Sequence, residues 1–154
     1  MLERGIHLIG LFMLLALLGG AAAATQVVVN SQLRNWVGHP VVASFVSFFV
    51  GALVLFLYIL LQRLPWPEWA KTLQAPWWVW IGGALGAFYV WTTVVAAPKL
   101  GAAVVIAVAV TGQMLISLVL DHYGLLGLPR HPLNIWRCLG VGLLLLGVAL
   151  IKGK

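Results

Sequence analysis

Five long apolar stretches dominate the pattern of hydrophobic and polar positions along the chain. They lie at about residues 5–29, 40–61, 77–96, 101–120 and 134–151, and short polar segments separate them. About 20 apolar residues are enough for an α-helix to cross a bilayer, because each residue adds about 1.5 Å. No polar segment is long enough to fold as a soluble domain. The pattern therefore predicts an all-α membrane protein, with residues 1–154 forming a single transmembrane domain of five helices.

The polar segments carry residues that end helices. We expect a connector at residues 31–39, followed by Pro40 in the first turn of the second helix, where its missing N–H is tolerated. Pro65 and Pro67 exclude a continuous helix through residues 62–76, and the tryptophans around this loop favour the headgroup region. Residues 96–99 predict a very tight reversal between the third and fourth helices.

The fourth stretch has one face that is mostly small or polar. Steps of four residues, which keep to one face of a helix, give Gly101, Val105, Ala109, Gln113, Ser117 and Asp121. An amide gains nothing by facing lipid, so this face should contact protein or a watery cavity. Two interpretations stay open: helix packing, or a transport path that Gln113 and Ser117 line.

Other helices carry candidate positions of the same two kinds. Gln26 and Asn30 share a face near the end of the first helix. They would serve either as an interfacial cap or as groups that bind a substrate. In the third helix, Tyr89 and Thr93 continue a face that starts with glycines, and a bundle-facing tyrosine hydroxyl needs a partner. We expect four glycines to serve as helix-packing positions: Gly82, Gly86, Gly101 and Gly140.

Composition supports the membrane interpretation and excludes several classes of function. The chain is 63% hydrophobic and 8% charged, against about 45–50% and 25% in soluble domains. Its nine basic residues are scattered between apolar stretches, which fits headgroup anchoring and not nucleic-acid binding. The only cysteine is Cys138, and no histidine pair has zinc-site spacing. We expect no metal, no cofactor and, since no intramembrane nucleophile–base pair occurs, no enzyme activity.

The number of helices and the charge distribution predict how copies assemble. Five helices place the two termini on opposite sides, here called side A for the N-terminus and side B for the C-terminus. Side A then carries five Lys and Arg residues and side B four, of the nine in the chain. Because Lys and Arg bias sets orientation, this balance favours insertion both ways and an antiparallel dimer. Two inverted copies would form the ten-helix inverted repeat known from secondary transporters.

Several short motifs together resemble one family. They are Gln26, Asn30-Ser31-x-Leu33, Pro40, Ser47-Phe48-x-x-Gly51, Gly82-Gly83-x-x-Gly86-x-x-Tyr89, Ala97-Pro98-x-Leu100-Gly101, Gly112-Gln113 and Asp121-x-x-Gly124. The chain resembles, over nearly its whole length, the YdcZ-type five-helix branch of the drug/metabolite transporter superfamily, long catalogued as a domain of unknown function. The resemblance implies a multi-pass protein of the bacterial inner membrane that pairs with itself or with a related five-helix chain. The four-helix exporters of this superfamily use a glutamate in the first helix, and this helix has none, since Glu3 precedes it.

These observations predict a transporter that moves a small organic molecule by alternating access across a dimeric inverted-repeat bundle. Gln113, Tyr89 and Thr93 would exchange hydrogen bonds with the substrate, and Asp121 would gate the path or bind a cation. The alternative is a non-transporting membrane subunit whose polar residues only pack helices together. A passive channel ranks last, because few polar groups are available at mid-membrane to line it.

Overall fold

A computed structural model describes the backbone of residues 2–153 and the side chains of residues 7–153. It confirms the all-α prediction: six α-helices and two short 3₁₀ helices make up the described secondary structure, with no strand between residues 2 and 153. The α-helices are α1 (Leu2–Val37), α2 (Pro40–Leu61), α3 (Trp69–Thr72), α4 (Gly82–Leu100), α5 (Ala102–Tyr123) and α6 (Ile135–Lys152). All of them except the one-turn α3 are long and apolar enough to span a membrane.

The chain divides into two compact units, Met1–Pro98 and Lys99–Lys154. In the first unit, α1 and α2 form a helical hairpin through Gly38 and His39. The positive φ of Gly38 (80°) ends α1, and His39 Nδ1 accepts a hydrogen bond from the Val41 N–H at the start of α2. The core of this unit, built from Ala43, Val90 and Val94, joins α2 to α4. Leu33 and Val37 pack against it from α1.

The first helix is longer than the sequence pattern predicts. Residues 31–37, expected in a polar connector, continue α1 to Val37. Two local bonds explain this: the Ser31 hydroxyl donates to Val27 O, and the Asn35 amide donates to Gln32 Oε1. Since these side chains bond within their own helix, the polar run does not interrupt it.

The reversal expected at residues 96–99 is also misplaced. Helix α4 continues through Pro98 to Leu100, and the turn lies at Gly101, whose φ of 82° suits glycine. The cost of this proline falls on the last turns of α4, where Pro98 offers no N–H to the carbonyl of Val94 four residues earlier. Gly101 therefore serves the turn; a Cβ added to it would meet no atom within 4 Å, so close packing is not what requires a glycine there.

The second unit is the pair α5 and α6 with the loop between them. Gly124 ends α5 in the left-handed region (φ 63°), and Asn134 caps α6 by accepting a bond from the Arg137 N–H at 2.9 Å.

Residues 62–76 form the expected loop, which contains the single turn of α3. The side chain of Arg4 and the residue Lys154, both used in comparing the two membrane sides, lie outside the described residues.

Candidate functional site

Four buried polar residues flank the contact between α1, α2 and α4. They are Asn30, Ser31, Ser44 and Thr93, here called the polar layer. Ser44 adjoins Ala43, Thr93 adjoins Val94, and Asn30 lies one helical turn before Leu33, all three neighbours belonging to the core cluster or packed against it. The polar layer therefore surrounds the small apolar core of the first unit.

The polar layer lies at a similar depth on all three helices. Asn30 is seven residues before the end of α1 at Val37, and Thr93 is seven residues before the end of α4 at Leu100. Each therefore lies about 10 Å from its helix end. Ser44 lies four residues into α2, about 6 Å from the start of that helix. Because alternating spans bring these three ends to side B, we expect the polar layer to lie closer to side B than to side A.

The three hydroxyls of the polar layer form hydrogen bonds within their own helices. Ser31 donates to Val27 O at 2.7 Å, Ser44 to Pro40 O at 2.9 Å, and Thr93 to Val90 O at 2.8 Å. Such bonds to a preceding turn satisfy a hydroxyl in an apolar setting without help from a neighbouring helix.

Asn30 is the exception in the polar layer. Its side chain is only 3% exposed, and its Nδ2 has no hydrogen-bond partner among the described residues. A buried amide donor without an acceptor is destabilising by about 1–3 kcal/mol. Few native buried groups are left in this state, so Asn30 is a candidate for contact with a group that comes from outside the chain.

The other predicted residues of the first unit have different surroundings. Tyr89 is half-buried and packs against the core cluster, next to the polar layer. Gln26 is exposed, although it lies one turn from Asn30. The structure therefore brings Asn30, Tyr89 and Thr93 to one region and leaves Gln26 outside it. Ser44 is buried beside Ala43 and therefore belongs to the polar layer as well.

The residues on the small and polar face of α5 differ in how deeply they are buried. Val105 is buried, Ser117 is half-buried and donates to Met114 O at 3.0 Å, and Gln113 is exposed. Gln113 lies at the midpoint of the 22-residue helix, at the depth where an amide is most expensive to leave in lipid.

Asp121 has a partner that the sequence did not suggest. Its Oδ2 lies 3.2 Å from an Arg137 guanidinium nitrogen, and both side chains are about one-third exposed (32% and 33%). The same nitrogen donates to His131 O, and Arg130 Nε donates to His122 O. These bonds tie the loop between α5 and α6 to the ends of both helices. The partners lie 16 residues apart across a Gly- and Pro-containing loop, so spacing alone could not pair them.

The two glycines of the G-x-x-x-G in the third span differ in their contacts. A Cβ added at Gly86 would lie 3.3 Å from Phe48 Cζ, so a larger residue there fits only if the Phe48 ring shifts. A Cβ added at Gly82 or at Gly140 would meet no atom within 4 Å. Of these three predicted packing positions, only Gly86 makes a close contact within this chain.

Apolar grooves lie on the helix surfaces. One of about 410 Å³ between α2 and α4 is lined by Ser44 and by aromatic side chains that include Phe45, Phe88 and Trp91. Grooves of about 350 Å³ and 240 Å³ lie between α5 and α6. No group of three potential metal ligands occurs among residues whose side chains are described.

Comparison with known proteins assigns the family. A family model described as "Putative inner membrane exporter, YdcZ" matches residues 11–150. No curated protein matches the chain, and no solved structure matches it. That description is of an inner-membrane exporter, and the five membrane-length helices fit a multi-pass protein of the inner membrane. Since the match covers nearly the whole chain and confirms the resemblance found in the motifs, this protein belongs to the YdcZ family.

Proposed function

We propose that this protein exports a small organic molecule by alternating access, as one half of an antiparallel dimer. The observation that carries the proposal is the exposed amide of Gln113 at the centre of α5. An amide at this depth needs protein, water or a ligand against it, because lipid offers it no hydrogen bond.

An inverted second copy supplies the missing surroundings. A twofold axis in the membrane plane keeps a mid-membrane residue at mid-membrane depth, so the Gln113 side chains of both copies lie level. The exporter family, the odd number of spans and the near balance of Lys and Arg residues support this arrangement. In this dimer, a central path contains Gln113 and Ser117 of each copy. Tyr89, Thr93 and Asn30 of the first unit are separate candidates for contact with the substrate. The partner is an identical chain or a related five-helix protein.

Asp121 has a structural contribution to this mechanism. Its ion pair with Arg137 holds the ends of α5 and α6 together, so we propose that it stabilises the gate at side A. Breaking and re-forming the pair would accompany opening of that side.

A non-transporting membrane subunit is the second candidate. The observation that favours it is that the Ser31, Ser44 and Thr93 hydroxyls are satisfied within their own helices, as in helices that merely pack. The two candidates differ in flux, because a subunit whose polar groups only pack helices moves nothing.

Reconstitution separates the candidates. Purified protein in proteoliposomes would be tested against a broad set of small organic molecules, with flux recorded as electrical current or as counterflow of labelled compound. We expect saturable flux in wild-type vesicles and a large loss in the Gln113→Leu variant with its dimer intact. Absence of flux for every compound, in vesicles that contain dimeric protein, would favour the packing subunit.

A further inference from the structure

The polar layer and its neighbour Arg34 indicate the charge of the exported molecule. Arg34 lies four residues after Asn30 on α1, so the two side chains share a helix face and are one turn apart. Arg34 is half-buried. Neither an ion pair nor a side-chain hydrogen bond joins its guanidinium to the rest of residues 7–153. One face of α1 therefore presents an unpaired amide donor and an unpaired cation.

Both groups require the same kind of partner. An arginine side chain has five N–H donors and no acceptor, and the free atom of Asn30 is its NH₂ nitrogen, also a donor. Oxygen atoms that carry negative charge bind such donors best, and arginine matches carboxylate and phosphate groups with two parallel hydrogen bonds.

Neither acidic residue of the first unit lies in the helix segments that carry the polar layer, because Glu3 is in the first turn of α1 and Glu68 directly precedes α3. The chain has three acidic residues, Glu3, Glu68 and Asp121. None of them lies within residues 5–61 or 77–100, which hold the three spans of this unit. Within the first unit, a cationic substrate would find no counter-charge beside the polar layer. The basic residues near the side B ends of these helices, Arg34 and Lys99, instead attract anions.

We infer that the exported molecule is a small organic anion whose oxyanion group, a carboxylate or a phosphate, binds Asn30 Nδ2 and the Arg34 guanidinium. The inference rests on the proposed transport function and names its substrate class. Arg34 lies in the last turn of α1, within reach of side B, whereas Asn30 lies one turn deeper. An anion therefore meets Arg34 first and reaches Asn30 when the contact between α1 and α4 opens.

The decisive measurement compares compounds that carry different charged or neutral groups on the same carbon skeleton. Wild-type protein in proteoliposomes on a solid-supported membrane would be given carboxylates, phosphate esters, primary amides and primary amines, all built on the same aliphatic and aromatic bodies. We expect saturable responses to carboxylates or phosphates, and the stronger of these two classes identifies the oxyanion. Responses to amines or amides alone would overturn the anion inference and leave the transporter proposal standing. No response to any class would overturn both.

Variants then test the two residues. Asn30→Asp replaces the donor by a negative charge at equal size, and Arg34→Gln removes the cation near the helix end. Each should raise the half-saturating anion concentration about tenfold or more, because a hydrogen bond to a charged group is lost. Gln74→Glu and Arg63→Gln are the matched controls, since both parent residues are exposed and outside the polar layer. We expect wild-type half-saturation from these controls.

Folding of each variant must be measured beside its anion affinity, because a protein that fails to fold also loses transport. If Asn30→Asp fails to fold, Arg34→Gln and the wild-type charge selectivity still decide the question. A folded Arg34→Gln protein with unchanged anion affinity would show that Arg34 serves only the membrane surface, and would overturn its assignment.

Discussion

The contact between Gly86 and Phe48 gives the sharpest stability prediction. A leucine at position 86 must place its Cβ 3.3 Å from Phe48 Cζ and 3.6 Å from Cε1, with three further carbons beyond it. Gly82, one turn earlier on the same helix, has no atom within 4 Å of its added Cβ. The two glycines therefore form a matched pair: one substitution creates an overpacked contact, and the other enters open space.

The expected magnitudes follow from two opposing terms. Overpacking in a formed contact is destabilising by about 1–3 kcal/mol. Replacing a helical glycine recovers up to about 1 kcal/mol of helix propensity. Gly86→Leu should thus lower the free energy of unfolding by up to about 2 kcal/mol, while Gly82→Leu should leave it unchanged or raise it slightly. Gly86→Ala should fall between them, because the Phe48 ring is 40% exposed and can shift by a few tenths of an ångström.

Unfolding in mixed micelles, followed by tryptophan fluorescence, would measure these differences. The cycle includes Phe48→Ala, alone and combined with Gly86→Leu, because removing the ring gives the leucine its space. We expect more than half of the loss to disappear in the double variant. Equal losses from Gly82→Leu and Gly86→Leu, or an undiminished loss without the ring, would refute the contact as the cause.

Three further predictions concern the membrane path, the topology and the loop. Gln113→Leu should change the free energy of unfolding by no more than about 0.6 kcal/mol, the average for interhelical hydrogen bonds in membranes, yet impair transport; unimpaired transport returns this residue to packing. The cysteine of Lys152→Cys, introduced in a chain with Cys138→Ser, should react with a thiol reagent from both sides of the membrane in cells. Reaction from one side alone would reject a homodimer of oppositely oriented copies. Arg137→Gln should be destabilising by about 1 kcal/mol, less at high salt, because the pair with Asp121 is partly exposed; a salt-independent loss contradicts the ion-pair explanation.

The hydrophobic pattern was sufficient to predict the five spans, because stretches of about 20 apolar residues have few other stable structures. The ends of the helices were harder to predict. Residues 31–37 look like a connector by polarity, yet hydrogen bonds within the helix keep them helical up to Gly38. Pro98 looks like a break, yet it lies so near the end of α4 that the chain turns only at Gly101. Both differences arise from local bonding, which hydropathy does not measure.

The candidate site was predictable only in part. The sequence singled out Asn30, Tyr89 and Thr93 because intramembrane polar residues are few, and the structure brings them near one core. Spacing in the sequence does not show that Asn30 Nδ2 lacks a hydrogen-bond partner while the buried hydroxyls have one. Whether a polar side chain finds a partner depends on its rotamer and on the neighbouring helices. The pairing of Asp121 with Arg137 was equally hidden, since it depends on how a loop folds back.

The hydroxyl bonds within single helices have a consequence for movement. Ser31, Ser44, Thr93 and Thr111 each donate to a carbonyl three or four residues earlier on the same helix. When two helices separate or slide, these bonds travel with their own helix and none has to break. Among α1, α2 and α4, only dispersion contacts between small and apolar side chains are then exchanged, and these are individually weak and re-form against new neighbours. In the described residues, these three helices therefore resist rearrangement through shape and not through hydrogen bonds, whereas α5 and α6 are also held by the Asp121–Arg137 pair.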